Sequence, residues 1–124
     1  MMHLGGLKLP KQDYYRQGQL TDVAYLVLTS LTTPCHGYLI MSKIEEMTGG
    51  NVRIGPASLY TTLKKLTEAK FIRLLTEDDA KKVYCITENG LSALKVEIDK
   101  RERYAKYGKK AINECYEEGN YVKR

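Results

Sequence analysis

The 124 residues include no tryptophan, two histidines and three cysteines. Without tryptophan, no site can be built by stacking a ligand between indole rings. Cys35, Cys85 and Cys115 are odd in number, widely spaced and without a CxxC pair. That argues against a disulfide framework or a zinc site and leaves reduced, partly buried thiols. His3 and His36 lie far apart with no cysteine or carboxylate at ligand spacing, so no metal site is expected. No stretch approaches the ~18 consecutive apolar residues that a membrane span needs. Residues 1–10 show no basic region followed by an apolar run, so a secretory signal is not expected and the cytoplasm is the expected location. Catalytic patterns are missing too. No nucleophile–base pair, paired-carboxylate motif or glycine-rich phosphate loop follows a strand. Gly49–Gly50 follows a helical pattern and reads as a cap. No enzyme is expected, and no cofactor is implied.

What is present is a charged, moderately basic chain. Lys and Arg number 20 against 15 Asp and Glu, for a formal net charge of +5. The length suits one domain with a modest core and leaves no room for a catalytic domain beside a binding domain. The charge suits a polyanionic partner, though ordinary domains carry as much.

Residues 1–12 read as a flexible N-terminal segment, interrupted by Gly5, Gly6 and Pro10. Residues 13–19 read as a short helix or an arm. From Thr21 the pattern sharpens. Thr21 suits an N-cap with Asp22 in the first turn, where a carboxylate meets the positive end of the helix dipole. Val23 to Leu28 and Leu31 make this helix apolar nearly all round, as in a buried helix or an oligomer interface. Thr32–Thr33–Pro34 ends it. A second helix is expected from about His36 to Met47, with Leu39, Ile40, Ile44 and Met47 inward and Lys43, Glu45 and Glu46 toward water. Thr48–Gly49–Gly50–Asn51 stops it. A third helix starts at Pro56, whose missing N–H costs nothing at the first helical position. Leu59, Leu63 and Leu66 form its core stripe. Ser58, Thr61, Lys64, Lys65 and Glu68 lie on the opposite face.

Two strands are expected at residues 72–76 and 83–87, joined by the charged loop Glu77 to Lys82. From Glu88 to about Glu118 the pattern is one long helix. Leu91, Leu94, Ile98, Arg101, Ala105, Gly108, Ile112 and Cys115 follow a 3,4 spacing, weak at Arg101 and Gly108. A helix this long outruns the domain, and a partner chain is the simplest cover for the seam.

Three helices, a hairpin and a long helix make an α+β, mostly α, winged helix-turn-helix with a C-terminal dimerisation helix. The division is 1–12 flexible segment, 13–87 winged helix-turn-helix with its N-terminal helix, 88–118 dimerisation helix and 119–124 tail. The third helix suits a major groove about 12 Å wide. Ser58 and Thr61 are small hydrogen-bonding groups at its N-terminal turns. Lys64 and Lys65 lie where phosphates or a guanine edge would be reached. Lys81 and Lys82 suit phosphate contact from the wing. Tyr38 suits a hydroxyl contact to the sugar-phosphate backbone, beside free N–H groups of the second helix.

Three segments carry a family resemblance. His36–Gly37–Tyr38–Leu39–Ile40 resembles the "hGYei" start of the second helix in the PadR family. Residues 55–66, Gly55–Pro56–Ala57–Ser58–Leu59–Tyr60–Thr61–Thr62–Leu63–Lys64–Lys65–Leu66, resemble its "GtLYptLkrLe" recognition helix. Val83–Tyr84–Cys85–Ile86–Thr87–Glu88–Asn89–Gly90 is similar to its "rkyYrlTekG" strand and helix start. The resemblance spans roughly residues 16–115 and rests on the order and spacing of all three. It implies a repressor that binds double-stranded operator DNA as a two-fold homodimer. It further implies that the C-terminal helix exchanges contacts with the partner's N-terminal helix. Many members are released by a small aromatic or drug-like effector. The chain departs from the pattern at Glu77, Asp78 and Asp79, which would repel phosphate. It departs again at Lys70, where the family usually has glycine, and at Phe71, where it has leucine.

Several residues have two readings. Tyr60 borders the core stripe and fits a phosphate contact or half-buried packing. Tyr84 fits strand packing better than a contact role. Tyr104 and Tyr107 fit either an aromatic effector cavity at the dimer interface or interface packing. Gly108 fits a kink or a close helix approach. Two other functions share the fold: a protein-interaction adaptor, and a thiol redox sensor using Cys35 or Cys115.

Overall fold

The computed structural model describes residues 15–76 and 81–123. The expectations for residues 1–12, for the start of the 13–19 segment and for the loop residues 77–80 lie outside them. Four helices and a three-stranded antiparallel sheet are seen: α1 (Asp22–Ser30), β1 (Cys35–His36), α2 (Ile40–Met47), α3 (Pro56–Glu68), β2 (Ile72–Leu74), β3 (Val83–Ile86) and α4 (Glu88–Glu118). The strand order is β1-β3-β2.

Thr21 caps α1, its hydroxyl accepting the Ala24 N–H at 3.1 Å. Ala24, Val27 and Leu28 are buried, and Val23, Tyr25 and Leu26 pack half-buried around the core. The helix is therefore the centre of the molecule, against α2, α3 and α4. From α3, Leu59, Leu63 and Leu66 enter the same core. Burying each contributes roughly 2 kcal/mol. Its spacing puts Thr62 inside as well.

The second helix departs from expectation. It starts at Ile40, after the short strand β1 and a 3-10 turn over Gly37–Leu39. The His36–Gly37–Tyr38 run is drawn into the sheet instead: Cys35 pairs with Tyr84 and His36 with Val83. Leu39 and Met47, expected inside, are each 42% exposed: Leu39 falls in the 3-10 turn before α2, and Met47, on the same face as the buried Ile40 and Ile44, is the last residue of the helix, at the rim of the core. Lys43 does not simply face water. Its ammonium donates to the Ser30 carbonyl at 2.6 Å and closes the C-terminus of α1.

β2 and β3 pair as a wing, Ile72 with Ile86 and Leu74 with Tyr84. Thr87, expected in the strand, instead caps α4: its hydroxyl accepts the Gly90 N–H at 3.1 Å and donates to the Lys70 carbonyl at 2.6 Å. α4 then runs unbroken through Gly108, and a Cβ there would meet nothing within 4 Å.

α4 buries Gly90, Ala93, Leu94 and Glu97, an i, i+3, i+4, i+7 stripe. This stripe is rotated from the expected seam and shares only Leu94 with it. Glu97 is 1% exposed. Its carboxylate accepts the Leu20 N–H at 3.2 Å and the Arg101 Nε–H at 2.9 Å. Arg101 also pairs with Asp22 at 2.9 Å. Burial works against its charged guanidinium, but the hydrogen bonds to Asp22 and Glu97 outweigh that and raise its pKa above the ordinary value.

Candidate nucleic-acid interface

With residues 59, 62, 63 and 66 turned inward, α3 must show its other residues to water. Ser58, Thr61 and Lys64 are exposed, and Tyr60 is 51% exposed. Tyr60 lies outside the core cluster, so its ring is available on the outer face. Lys65 is half-buried, with its ammonium 5.8 Å from the centroid of the Tyr15 ring. Lys64 is the freer of the two lysines. The only acid on this face, Glu68, lies at the last turn.

The N-terminus of α3 is built from Gly55 and Pro56, and no side chain caps it. Its first-turn N–H groups and the positive end of its dipole are open to an anion. The cation nearest in sequence is Arg53, whose side chain is 77% exposed and holds Glu45 at 3.6 Å. An exposed pair of this kind holds weakly and can exchange partners. Sequence reasoning passed over Arg53. Its signal was a lone arginine two residues before the Gly55–Pro56 helix start. Arg73, exposed on β2, was passed over in the same way.

Tyr38 and the wing are joined through the backbone. The Gly37 N–H donates to the Lys82 carbonyl at 3.0 Å. Gly37 is buried, and a Cβ there would crowd Tyr84 Cε1 at 3.2 Å. The lack of a side chain is what lets the turn lie on the wing. Tyr38 is left 63% exposed, its ring tilted on His36 with centroids 5.5 Å apart. Lys81 and Lys82 are exposed at the start of β3. Tyr84 packs against the core, which accounts for it as strand packing.

The residues assigned to the dimer seam divide. Leu94 is buried inside the chain's own core, while Leu91 at 41%, Ile98 at 36% and Ile112 at 56% are exposed. Ala105 and Gly108 are exposed, and Cys115 is half-buried. Tyr104 and Tyr107 lie side by side, with ring centroids 6.1 Å apart. Among the described residues no helix is long and apolar enough to cross a membrane.

Comparison with known proteins gives the family and the fold. Residues 26–96 match the Transcriptional regulator PadR-like family. The transcriptional regulator YqjI of Escherichia coli is 32% identical over 80 residues, which are 64% of this chain and 38% of that protein. The curated relatives are longer, and the match spans 24% to 38% of their lengths. Bacillus subtilis PadR, solved in complex with operator DNA, is 31% identical with a TM-score of 0.50, over 59% of this chain and 44% of that one. A transcriptional regulator from Clostridium thermocellum shares the fold, with a TM-score of 0.58 and 24% identity over 74% of this chain and 87% of that one. The chain belongs to the PadR-like family of winged-helix transcriptional regulators, which are DNA-binding regulators and not enzymes.

Proposed function

We propose that the chain is a homodimeric repressor that reads operator DNA with the outer face of α3. The observation that carries this is the face itself. Ser58, Tyr60, Thr61 and Lys64 are exposed together on a helix whose opposite side is locked into the core. Small hydroxyls near the N-terminus allow close approach to base edges, and lysines further along reach phosphate. Lys65 adds charge at the border of this face. Tyr38, Lys81 and Lys82 position the duplex by backbone contacts, with Arg53 beside the start of α3. Repression needs nothing beyond occupancy of the operator.

Dimerisation is supported by α4. Leu91, Ile98, Ile112 and Tyr116 are exposed along one side of it, and a second copy laid on that side would take them out of water. In the same reading a small aromatic effector enters beside Tyr104 and Tyr107, where the Lys100 ammonium lies 5.7 Å from the Tyr104 centroid. The role places the protein with the DNA, which in a cell without a nucleus is the cytoplasm.

The test is a titration against the duplex upstream of its own gene, with a random duplex of equal length as competitor, at two salt concentrations. Binding that survives the competitor is expected. Weak binding, equal on both duplexes and lost at the higher salt, would leave only charge attraction and favour a protein-interaction role.

A further inference from the structure

The contacts that hold residues 18–22 to α4 converge on one helical turn. Glu97 is the last residue of the buried stripe, and beyond Arg101 the residues of α4 are exposed with the exception of Cys115. One Glu97 oxygen accepts the Leu20 N–H at 3.2 Å. The other takes the Arg101 Nε–H at 2.9 Å and lies 3.8 Å from the Lys100 ammonium. Both cations reach back across the same segment. Lys100 donates to the Gly18 carbonyl at 2.7 Å. Arg101 donates to the Leu20 carbonyl at 3.4 Å, pairs with Asp22 at 2.9 Å, and lies over the Tyr25 ring at 4.5 Å.

An apolar side chain of similar size would fill the Glu97 position at a lower desolvation cost. It would not fix direction. The carboxylate, tied to a backbone N–H on one side and two cations on the other, permits one orientation of α4 against α1 and the segment before it. The cluster sits where α4 leaves the body of the protein, so an angular error there is magnified. From Arg101 the helix continues for about 26 Å at 1.5 Å per residue, and a tilt of about 10° moves its end by ~4.5 Å. That exceeds the ~3.4 Å rise of one base pair.

We propose that Glu97, Lys100 and Arg101 form a positioning device that sets the angle between α4 and the DNA-reading unit, and so the separation of the two α3 helices on DNA. The inference rests on the dimeric, DNA-binding reading above. Glu97 touches no DNA in this scheme; it acts through the direction of α4.

The test is selection of duplexes from a randomised pool by the wild-type protein and by Glu97→Gln in parallel, with half-site spacing read by sequencing. Glutamine keeps the size and the acceptor for Leu20 and removes the charge. The wild type is expected to enrich paired half-sites at one spacing. Glu97→Gln is expected to enrich the same half-sites, since α3 is unaltered, with the spacing shifted or spread by at least one base pair. Folding is checked by circular dichroism. If Glu97→Gln loses its helical signal, Lys100→Gln, which gives up the Gly18 contact from a side chain 30% exposed, carries the same test. A folded variant that keeps the wild-type spacing alone overturns the proposal. A wild type that enriches only single half-sites, or nothing, removes the dimeric reading and this proposal with it, before any variant is compared.

Discussion

Lys70 holds φ at 64°, the left-handed region that L side chains enter at a cost of about 1 kcal/mol or more. It links the end of α3 to β2, where the chain must turn sharply enough for the Phe71 N–H to reach the Leu66 carbonyl at 3.0 Å. Glycine is the residue this backbone favours, and the family's usual glycine at this place has its reason there. Lys70→Gly is expected to stabilise the fold by about 0.5 kcal/mol, the relief of strain being partly offset by a freer unfolded chain. A lower midpoint in urea would count against the strain. Gly90 is the opposite case. A Cβ there would press into the Phe71 carbonyl oxygen and come within 2.7 Å of Ile86 Cγ1. A backbone oxygen held by the Thr87 N–H at 2.9 Å cannot give way. Gly90→Ala is expected to cost about 3 kcal/mol, read as a fall in thermal midpoint of roughly 10 °C or more. A midpoint within a degree or two of wild type would show that α4 can slide off the wing.

At the scale of elements, α3 was legible because its signals are local. Pro56 at the first position and leucines at i, i+4 and i+7 specify both its start and its inner face, and hence its outer one. Tyr60 was ambiguous at the edge of that stripe until packing left it outside. Lys64 and Lys65 are neighbours in sequence but differ in setting, since Lys65 lies against Tyr15. Lys64→Ala is expected to weaken duplex binding and to reduce the slope of log affinity against log salt by about 1. Lys65→Ala is expected to do less. Equal, full effects of both would place Lys65 on DNA and off Tyr15. The start of α2 was not legible. A two-residue strand carries no periodicity, and β1 forms only because β3 comes alongside from 47 to 49 residues later. The same meeting fixes Tyr38 next to the wing through Gly37 and Lys82.

At the scale of the whole molecule, the distal part of α4 meets its own C-terminal tail, where Tyr121 stands edge-on to Tyr116 with ring centroids 5.4 Å apart, and is otherwise largely exposed; the dimer reading turns on it. Ile112 is 56% exposed, so a charge there costs a lone chain little. In a two-fold interface it would bury a carboxylate from each copy. Ile112→Glu is expected to leave the helical signal intact and to raise the dimer dissociation constant at least ~tenfold in sedimentation equilibrium. Unchanged sedimentation would move the interface elsewhere on the molecule.

The helix periods, the Thr21 cap, the Pro56 start, the run of α4 and each family motif are legible along the chain, because each depends on residues within a few positions of one another. Tertiary structure alone decided the third strand, the late start of α2, the Thr87 cap that also holds Lys70, and which face of α4 is buried. It also placed Glu97 under Leu20 and Arg101 over Asp22. A heptad count weighs apolar spacing within one helix. It cannot register a buried carboxylate whose backbone partner lies 77 residues away.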